Sequence, residues 1–261
     1  MNANTLLIIE DSPIQAKIIS QRFESLTGFG LLVAHSLAEA RALAEANRQD
    51  IFAAVADLNL PDAPDGETVD LCRGMDIPCV VLAASFDENV RRGFLDKQVA
   101  DYFLKGSIDD LDPLVASVQR LHANFNVKAL VVDDSSTQRA VVKRMLAVQC
   151  ISSIGAEDGL AALEVLRSTP EIRLVITDFN MPRMDGITLV QEIRNSYKIT
   201  KLAVIGLSST GSGALTARFL KNGANDFLTK PFEAEEFYWR VNQTLNILDT
   251  MQELHKLRKQ G

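Results

Sequence analysis

The sequence carries two acid pairs, Glu10-Asp11 and Asp133-Asp134, two single acids that close apolar runs, Asp57 and Asp178, and two lysines that close others, Lys105 and Lys230. Each residue alone has an ordinary use: an Asp after a strand caps the next helix, and a Lys is a solvated side chain. Gathered together they imply a particular chemistry. Three carboxylates in a partly desolvated site raise each other's pKa. A hard divalent cation relieves that conflict, and Mg2+ does so with one or two carboxylates, a backbone carbonyl, waters and phosphate oxygens. A lysine in the same pocket adds a positive point for a phosphoryl oxygen. A carboxylate beside both is a competent phosphoryl acceptor, because that transfer depends mostly on positioning and charge neutralisation.

These residues recur in order. LLIIEDSP (6–13) is repeated as ALVVDDSS (129–136), AAVADLNLP (53–61) as LVITDFNMP (174–182), and DYFLKGS (101–107) as DFLTKPF (226–232). Asp11 and Asp134 are 123 residues apart, Asp57 and Asp178 121, and Lys105 and Lys230 125. Three landmarks displaced by nearly one distance indicate a duplicated domain. In the first copy, strands are expected near 5–10, 30–34, 51–56, 78–83 and 100–104, and helices near 13–26, 36–48, 66–74, 87–97 and 108–122. In the second, strands are expected near 128–133, 151–155, 172–177, 202–207 and 225–229, with helices between them and a last helix from about Glu233. Continuous apolar strands alternating with helices give a parallel sheet covered on both faces. Such sheets bind ligands beyond the carboxyl ends of their strands, where every landmark falls. Pro13, Ser12 and Ser135 suit helices that begin just after each acid pair. The link HANFNVK (122–128) is short and lacks Gly and Pro, which predicts little freedom between the copies.

On these motifs the chain resembles two tandem receiver domains of bacterial two-component response regulators. The resemblance implies an α/β fold of two flavodoxin-like (βα)5 domains, each with a five-stranded parallel sheet of order 2-1-3-4-5. It places one domain at 1–122, a second at 127–248, and a C-terminal helical extension at 249–261. The second copy matches closely: DD at 133–134, DFNMPRMDG at 178–186, Ser208 thirty residues after Asp178, and Lys230-Pro231 twenty-two later. The resemblance makes Asp178 the phosphoacceptor, with Asp134, Asp178 and the Asn180 carbonyl holding Mg2+ and Asp133 acting through water. Ser208 would hydrogen-bond the phosphoryl group, Lys230 would pair with it, and Phe227 takes the aromatic switch position. The Lys230-Pro231 bond is expected to be cis, a geometry that costs little only before proline.

The first copy departs from the pattern. Glu10 and Asp11 replace the two aspartates, which still suits a metal, and Asp57, Asn59, Pro61, Tyr102 and Lys105 fill their places. Twenty-two residues before Lys105 stands Ala83, where the second copy has Ser208. Asp57 and Ala83 are 26 residues apart against 30 in the second copy, and Gly106 replaces the proline. The first domain is therefore expected to bind Mg2+ and to take phosphate on Asp57 at most with a weak switch, the second to signal through Asp178. The resemblance further implies phosphoryl supply from a sensor histidine kinase or a histidine phosphotransfer protein. The chain itself would be a phosphoacceptor and not an enzyme. Alternatives are a scaffold or dimerisation module whose first domain does not switch, or the sensory half of a diguanylate cyclase.

Composition narrows the field. Of 261 residues, 27 are Lys or Arg and 34 Asp or Glu, a net charge of −7 that disfavours binding to a phosphate backbone. No apolar run approaches the ~20 residues that cross a bilayer, and MNANTLLIIEDS does not read as a signal peptide. Cys72, Cys79 and Cys150 lack CxxC spacing and read as reduced thiols of a cytoplasmic protein. A dehalogenase-type phosphatase needs a second Asp two residues after the first, where Ser135 and Ser12 stand. A flavodoxin phosphate loop conflicts with the two acids in DDSST, and GLSSTGSG (206–213) lacks the Lys of a P-loop. The histidines His35, His122 and His255 are scattered and read as ordinary surface or helix residues. Beyond Val241 the last helix continues unbroken, and Ile247, Met251, Leu254 and Arg258 fit a heptad seam for self-association or for an output domain.

Overall fold

The computed structural model describes residues 3–83, 98–105, 111–209 and 213–260. The chain divides into two compact units, Met1–Ala123 with Val148–Cys150, and Asn124–Ala147 with Ile151–Gly261.

The first unit runs β1 (Thr5–Ile9), α1 (Pro13–Leu26), β2 (Gly30–Ala34), α2 (Leu37–Ala46), β3 (Ile51–Asp57), α3 (Glu67–Gly74), β4 (Cys79–Ala83), β5 (Asp101–Leu104) and α4 (Asp112–Asn124). Its sheet has the order β2-β1-β3-β4-β5, and every pairing is parallel. The expected helix near 87–97 and Gly106 lie outside the described residues; the helix expected over 108–122 begins at Asp112, with Leu111 before it, and runs to Asn124. Alternation along each strand builds two cores. Leu7 and Ile9 of β1 join Ala40, Ala44, Val69 and Cys72 from α2 and α3 on one face. Leu6 and Ile8 join Ile19, Phe23, Leu114 and Val118 from α1 and α4 on the other. β3, in the middle, is buried at all seven positions, as an apolar strand covered on both faces must be.

The second unit repeats this: β6 (Lys128–Val132), α5 (Ser136–Val148), β7 (Ser152–Ala156), α6 (Gly159–Ser168), β8 (Ile172–Asp178), α7 (Gly186–Ser196), β9 (Ala203–Ser208), α8 (Gly213–Lys221), β10 (Asp226–Thr229) and α9 (Ala234–Gln260). Its sheet order is β7-β6-β8-β9-β10, again all parallel. Leu130 and Val132 face α6, α7 and α8, while Ala129 and Val131 face α5 and α9. Each fully buried Leu, Ile or Phe here stabilises the fold by about 1.5–3 kcal/mol. Both sheets thus have the 2-1-3-4-5 order implied by the motifs.

Side-chain caps set where the helices begin. The Ser12 hydroxyl accepts from Gln15 N at 3.4 Å, Ser36 from Glu39 N at 3.1 Å, and Asp158 from Ala161 N at 3.0 Å. The last helix buries Phe237, Val241, Leu245 and Leu248 against its own sheet, while Trp239 is exposed. Towards its end Ile247, Met251, Leu254 and Leu257 are exposed, and Leu257, which the heptad reading left out, is the most exposed of the four.

Candidate functional site

In the second unit the loops after β6, β8 and β10 bring Asp133, Asp178 and Lys230 together. Lys230 Nζ donates to Asp178 Oδ1 at 2.6 Å and to Asp133 Oδ2 at 2.9 Å. The remaining oxygens are also held. Ser135 N donates to Asp133 Oδ1 at 2.9 Å, and Asn180 N to Asp178 Oδ2 at 2.8 Å. In each case a carboxylate turns back on the amide two residues on, a local bond that Asp makes readily. Both aspartates are buried, so these charge-assisted bonds stand in for lost water. Burial alone would pull the Lys230 ammonium down. Its hydrogen bonds and charge attraction to Asp178 and Asp133 outweigh that and hold it above the ordinary lysine value.

The backbone around this cluster leaves little freedom. Lys230 N donates to Ser208 O at 2.8 Å, and the Lys230-Pro231 bond is cis, as expected. Ser208, at the end of β9, is fully buried. A Cβ on Gly186, the first residue of α7, would lie 2.2 Å from the Asp178 carbonyl oxygen, so only glycine fits there. Phe227 is buried against Phe219, ring centroids 5.2 Å apart, and Phe219 meets Phe179, the neighbour of Asp178, edge to face at 6.0 Å.

Asp134 behaves differently from its neighbours: it is exposed. Among the described residues, the three acids whose oxygens lie within 4.8 Å of one another are Glu10, Asp11 and Asp57, and Asp133, Asp134 and Asp178 form no such group. The physical reason is local. Lys230 neutralises the two buried carboxylates, and the third keeps its hydration by pointing outward. Arg139, from α5, donates to the Asp133 carbonyl at 2.6 Å and the Asp134 carbonyl at 3.2 Å, fixing the main chain of the pair.

The first unit builds the same cup with other parts. Lys105 donates to Asp57 Oδ2, and its Nζ lies 2.8 Å from Glu10 Oε2. That second contact is an ion pair, and by geometry the buried Oε2 accepts no hydrogen bond. Ser12 N reaches Glu10 Oε1 at 3.3 Å and Asn59 N reaches Asp57 Oδ1 at 3.1 Å. Burial raises the Glu10 pKa, only partly offset by Lys105. Burial pulls Lys105 down, but Asp57 and Glu10 more than reverse this. The sheet register identifies the missing hydroxyl. Asp57 pairs with Leu82 as Asp178 pairs with Leu207, so Ala83 stands where Ser208 does. Tyr102, the counterpart of Phe227, is half-buried against its core, whereas Phe227 is buried. Asp57's carbonyl accepts from the Thr68 hydroxyl at 2.9 Å.

Three contacts at the sites had no signal strong enough to be read from the chain. Thr68 and Arg139 act on main-chain carbonyls, which any polar residue can do. His35, read as an ordinary residue, lies with Nδ1 2.9 Å from the Glu10 carbonyl.

The donor set suits magnesium. Every candidate ligand is an oxygen, three acids converge in the first unit, and one buried carboxylate oxygen there lacks a hydrogen-bond partner. Bound there, the cation would supply charge neutralisation for carboxylate and phosphoryl oxygens, held by Glu10, Asp11 and Asp57 in the first unit; in the second, Asp178 and the Asn180 carbonyl would hold it, and Asp134, which is exposed, would have to turn inward to join them.

Comparison with known proteins agrees with the geometry. Residues 129–242 match the response regulator receiver domain family. Chemotaxis protein CheY1 of Helicobacter pylori (strain ATCC 700392 / 26695) is 36% identical over 124 residues, 47% of this chain and 100% of that protein. Two-component response regulator ORR11 of Oryza sativa subsp. indica is 39% identical over 102 residues, 39% of this chain and 69% of its own. A solved structure described as a two-component system response regulator/GGDEF domain protein superposes with a TM-score of 0.83 at 37% identity, covering 94% of this chain and 99% of the other. With acids and a lysine meeting at the strand ends of two like-ordered sheets, the chain belongs to the response regulator receiver family and carries its fold twice.

Proposed function

We propose that this protein is a phosphoacceptor, not an enzyme, which receives a phosphoryl group chiefly on Asp178 with Mg2+ as cofactor. The observation that carries the reading is Lys230, 2.6 Å from Asp178 and 2.9 Å from Asp133 at the end of the sheet. A histidine kinase or histidine phosphotransfer protein is the donor. An Asp178 carboxylate oxygen bonds to phosphorus as the P–N bond of phosphohistidine breaks. The freed electron pair stays on the imidazole, which takes a proton. Lys230 then holds a phosphoryl oxygen in place of a carboxylate one, and the Ser208 hydroxyl supplies a second donor. Phe227, packed through Phe219 to Phe179, follows the change into the surface of β9, β10 and their helices.

Asp57 is a second, weaker acceptor. Glu10, Asp11 and Lys105 equip it, but Ala83 offers the phosphoryl group no hydroxyl and Tyr102 is only half-buried. This favours a secondary reading in which the first unit serves as a docking or dimerisation scaffold. No helix among the described residues is long and apolar enough to cross a membrane, and a cytoplasmic location agrees with the kinase as donor. Similarity to response regulator/GGDEF proteins supports an output through such a domain, or through self-association of the last helix.

Mass spectrometry of acyl phosphate after incubation with Mg2+ and acetyl phosphate tests the assignment. Label on Asp178 that disappears in Asp178→Ala supports it. Undiminished label in Asp178→Ala, with loss in Asp57→Ala, reverses it. Ala83→Ser restores the missing hydroxyl and is expected to prolong any label on Asp57.

A further inference from the structure

The loop after the acceptor strand of the second unit, residues 179–185, is tied down at its far end. Arg183 has φ 63°, and Met184 N donates across it to Pro182 O at 2.6 Å, closing a three-residue turn. A non-glycine residue in that region is strained and persists only where its surroundings hold it. Here the guanidinium pairs with the buried Asp158 carboxylate and lies 3.1 Å from Glu157. Asp158 is itself fixed, since its Oδ1 accepts from Ala161 N as the N-cap of α6. Met184 lies over the next residue, Gly159, where a Cβ would come within 2.6 Å of its sulfur.

The first unit makes the same tie with the opposite charge. Asp62 follows Pro61 as Arg183 follows Pro182. Its carboxylate accepts from Leu37 N at 3.0 Å and Ala38 N at 3.3 Å, at the start of α2, which Ser36 caps. In both units the acceptor loop is anchored to the first turn of the helix after the second strand. One tie is a guanidinium on a capping carboxylate, the other a carboxylate on helix amides. Anchorage is what the two share, not charge.

We propose that Arg183, through Asp158, is a positioning residue for the cation site of the second unit, and that Asp62 does the same in the first. The tie holds the turn at residues 182–184, and so restrains the loop that carries Asn180 next to Asp178, from which a divalent cation would be held. The proposal rests on reading Asp178 as a metal-dependent acceptor. Its sign sets it apart from a simple charge effect. Removing a positive side chain near a cation site tightens cation binding by electrostatics alone, whereas loss of positioning weakens it.

Mn2+ binding to the full chain, followed by calorimetry in an Asp11→Asn, Asp57→Asn background, isolates the second unit. Arg183→Ala is expected to weaken Mn2+ about tenfold, the low end for groups that orient metal ligands. It also slows Asp178 labelling by acetyl phosphate, and Arg183→Lys recovers most of both. Asp158→Asn, which keeps a capping oxygen but loses the charge, is expected to weaken binding as well; loss of an acid does so by electrostatics too, so Arg183→Ala is the deciding variant. Binding equal to or tighter than the parent in Arg183→Ala overturns the tie while leaving the acceptor assignment standing. A parent that neither binds Mn2+ nor labels Asp178 removes the acceptor assignment, and the tie with it.

Discussion

Lys230 does two things that a surface lysine does not: it is partly buried, and it serves two buried carboxylates at once. Its replacement by Met leaves Asp133 and Asp178 facing each other without a counter-charge. Breaking a buried pair on one side costs about 3–5 kcal/mol, so Lys230→Met is expected to lower the unfolding midpoint markedly in metal-free buffer. Mg2+ then restores more stability to the variant than to the parent, because a ligand that binds only the folded state stabilises by mass action. Differential scanning calorimetry with and without Mg2+ reads both effects, and equal gains in the two proteins would refute the shared-carboxylate account. The acids and lysines were legible in the sequence because each ends an apolar strand. The outward turn of Asp134 was not, since it depends on Lys230 bonding Asp133 and Asp178 and leaving the third acid to solvent. Arg183 and Asp62 were equally hidden: a charged loop residue looks solvated until its backbone conformation and its partner are known.

The elements were legible where burial dictates them. β3 and β8 are apolar through their length and central in their sheets. β2 and β7 lie at the edges and are half-exposed, yet their place in the repeat identified them. The expected limits shifted by a residue or so at several ends, as with β7 (Ser152–Ala156 against 151–155), where the local pattern carries no cap. β8 and α7 meet closely at Gly186. Gly186→Ala forces a methyl against the Asp178 carbonyl. Either α7 moves or the acceptor strand does, at a cost of about 1–3 kcal/mol. The variant is expected to unfold earlier and to lose Asp178 labelling more than Asp57 labelling. Equal loss at both sites would show a general defect in place of a local one.

At the scale of the whole molecule, half-buried Cys150 and Tyr238, with the buried Cys79, weaken the fold at alkaline pH. Burial pushes the Cys150 thiol up to about 12 from 9.0, and Tyr238 up to about 12 from 10.0. Below about pH 8 both are essentially neutral whether the chain is folded or not, and their contribution is unchanged. As pH rises from 9 towards 12, the unfolded chain ionises first and is favoured, so stability falls through that window. Chemical denaturation at pH 8, 10 and 11 is expected to show this decline, and Cys150→Ala to flatten its first part. A Cys150→Ala protein with an unaltered slope between pH 9 and 10 would assign the loss elsewhere.

The first unit's cup also has a simple electroneutrality. Glu10, Asp11 and Asp57 carry three negative charges and Lys105 one positive, leaving two uncompensated, the charge of a single divalent ion. Once such an ion balances the cup, converting one carboxylate to its acyl phosphate adds about one further negative charge at neutral pH. On the acceptor reading, phosphorylation reduces to one elementary charge appearing at the end of a strand, on a background that the ion would bring to zero.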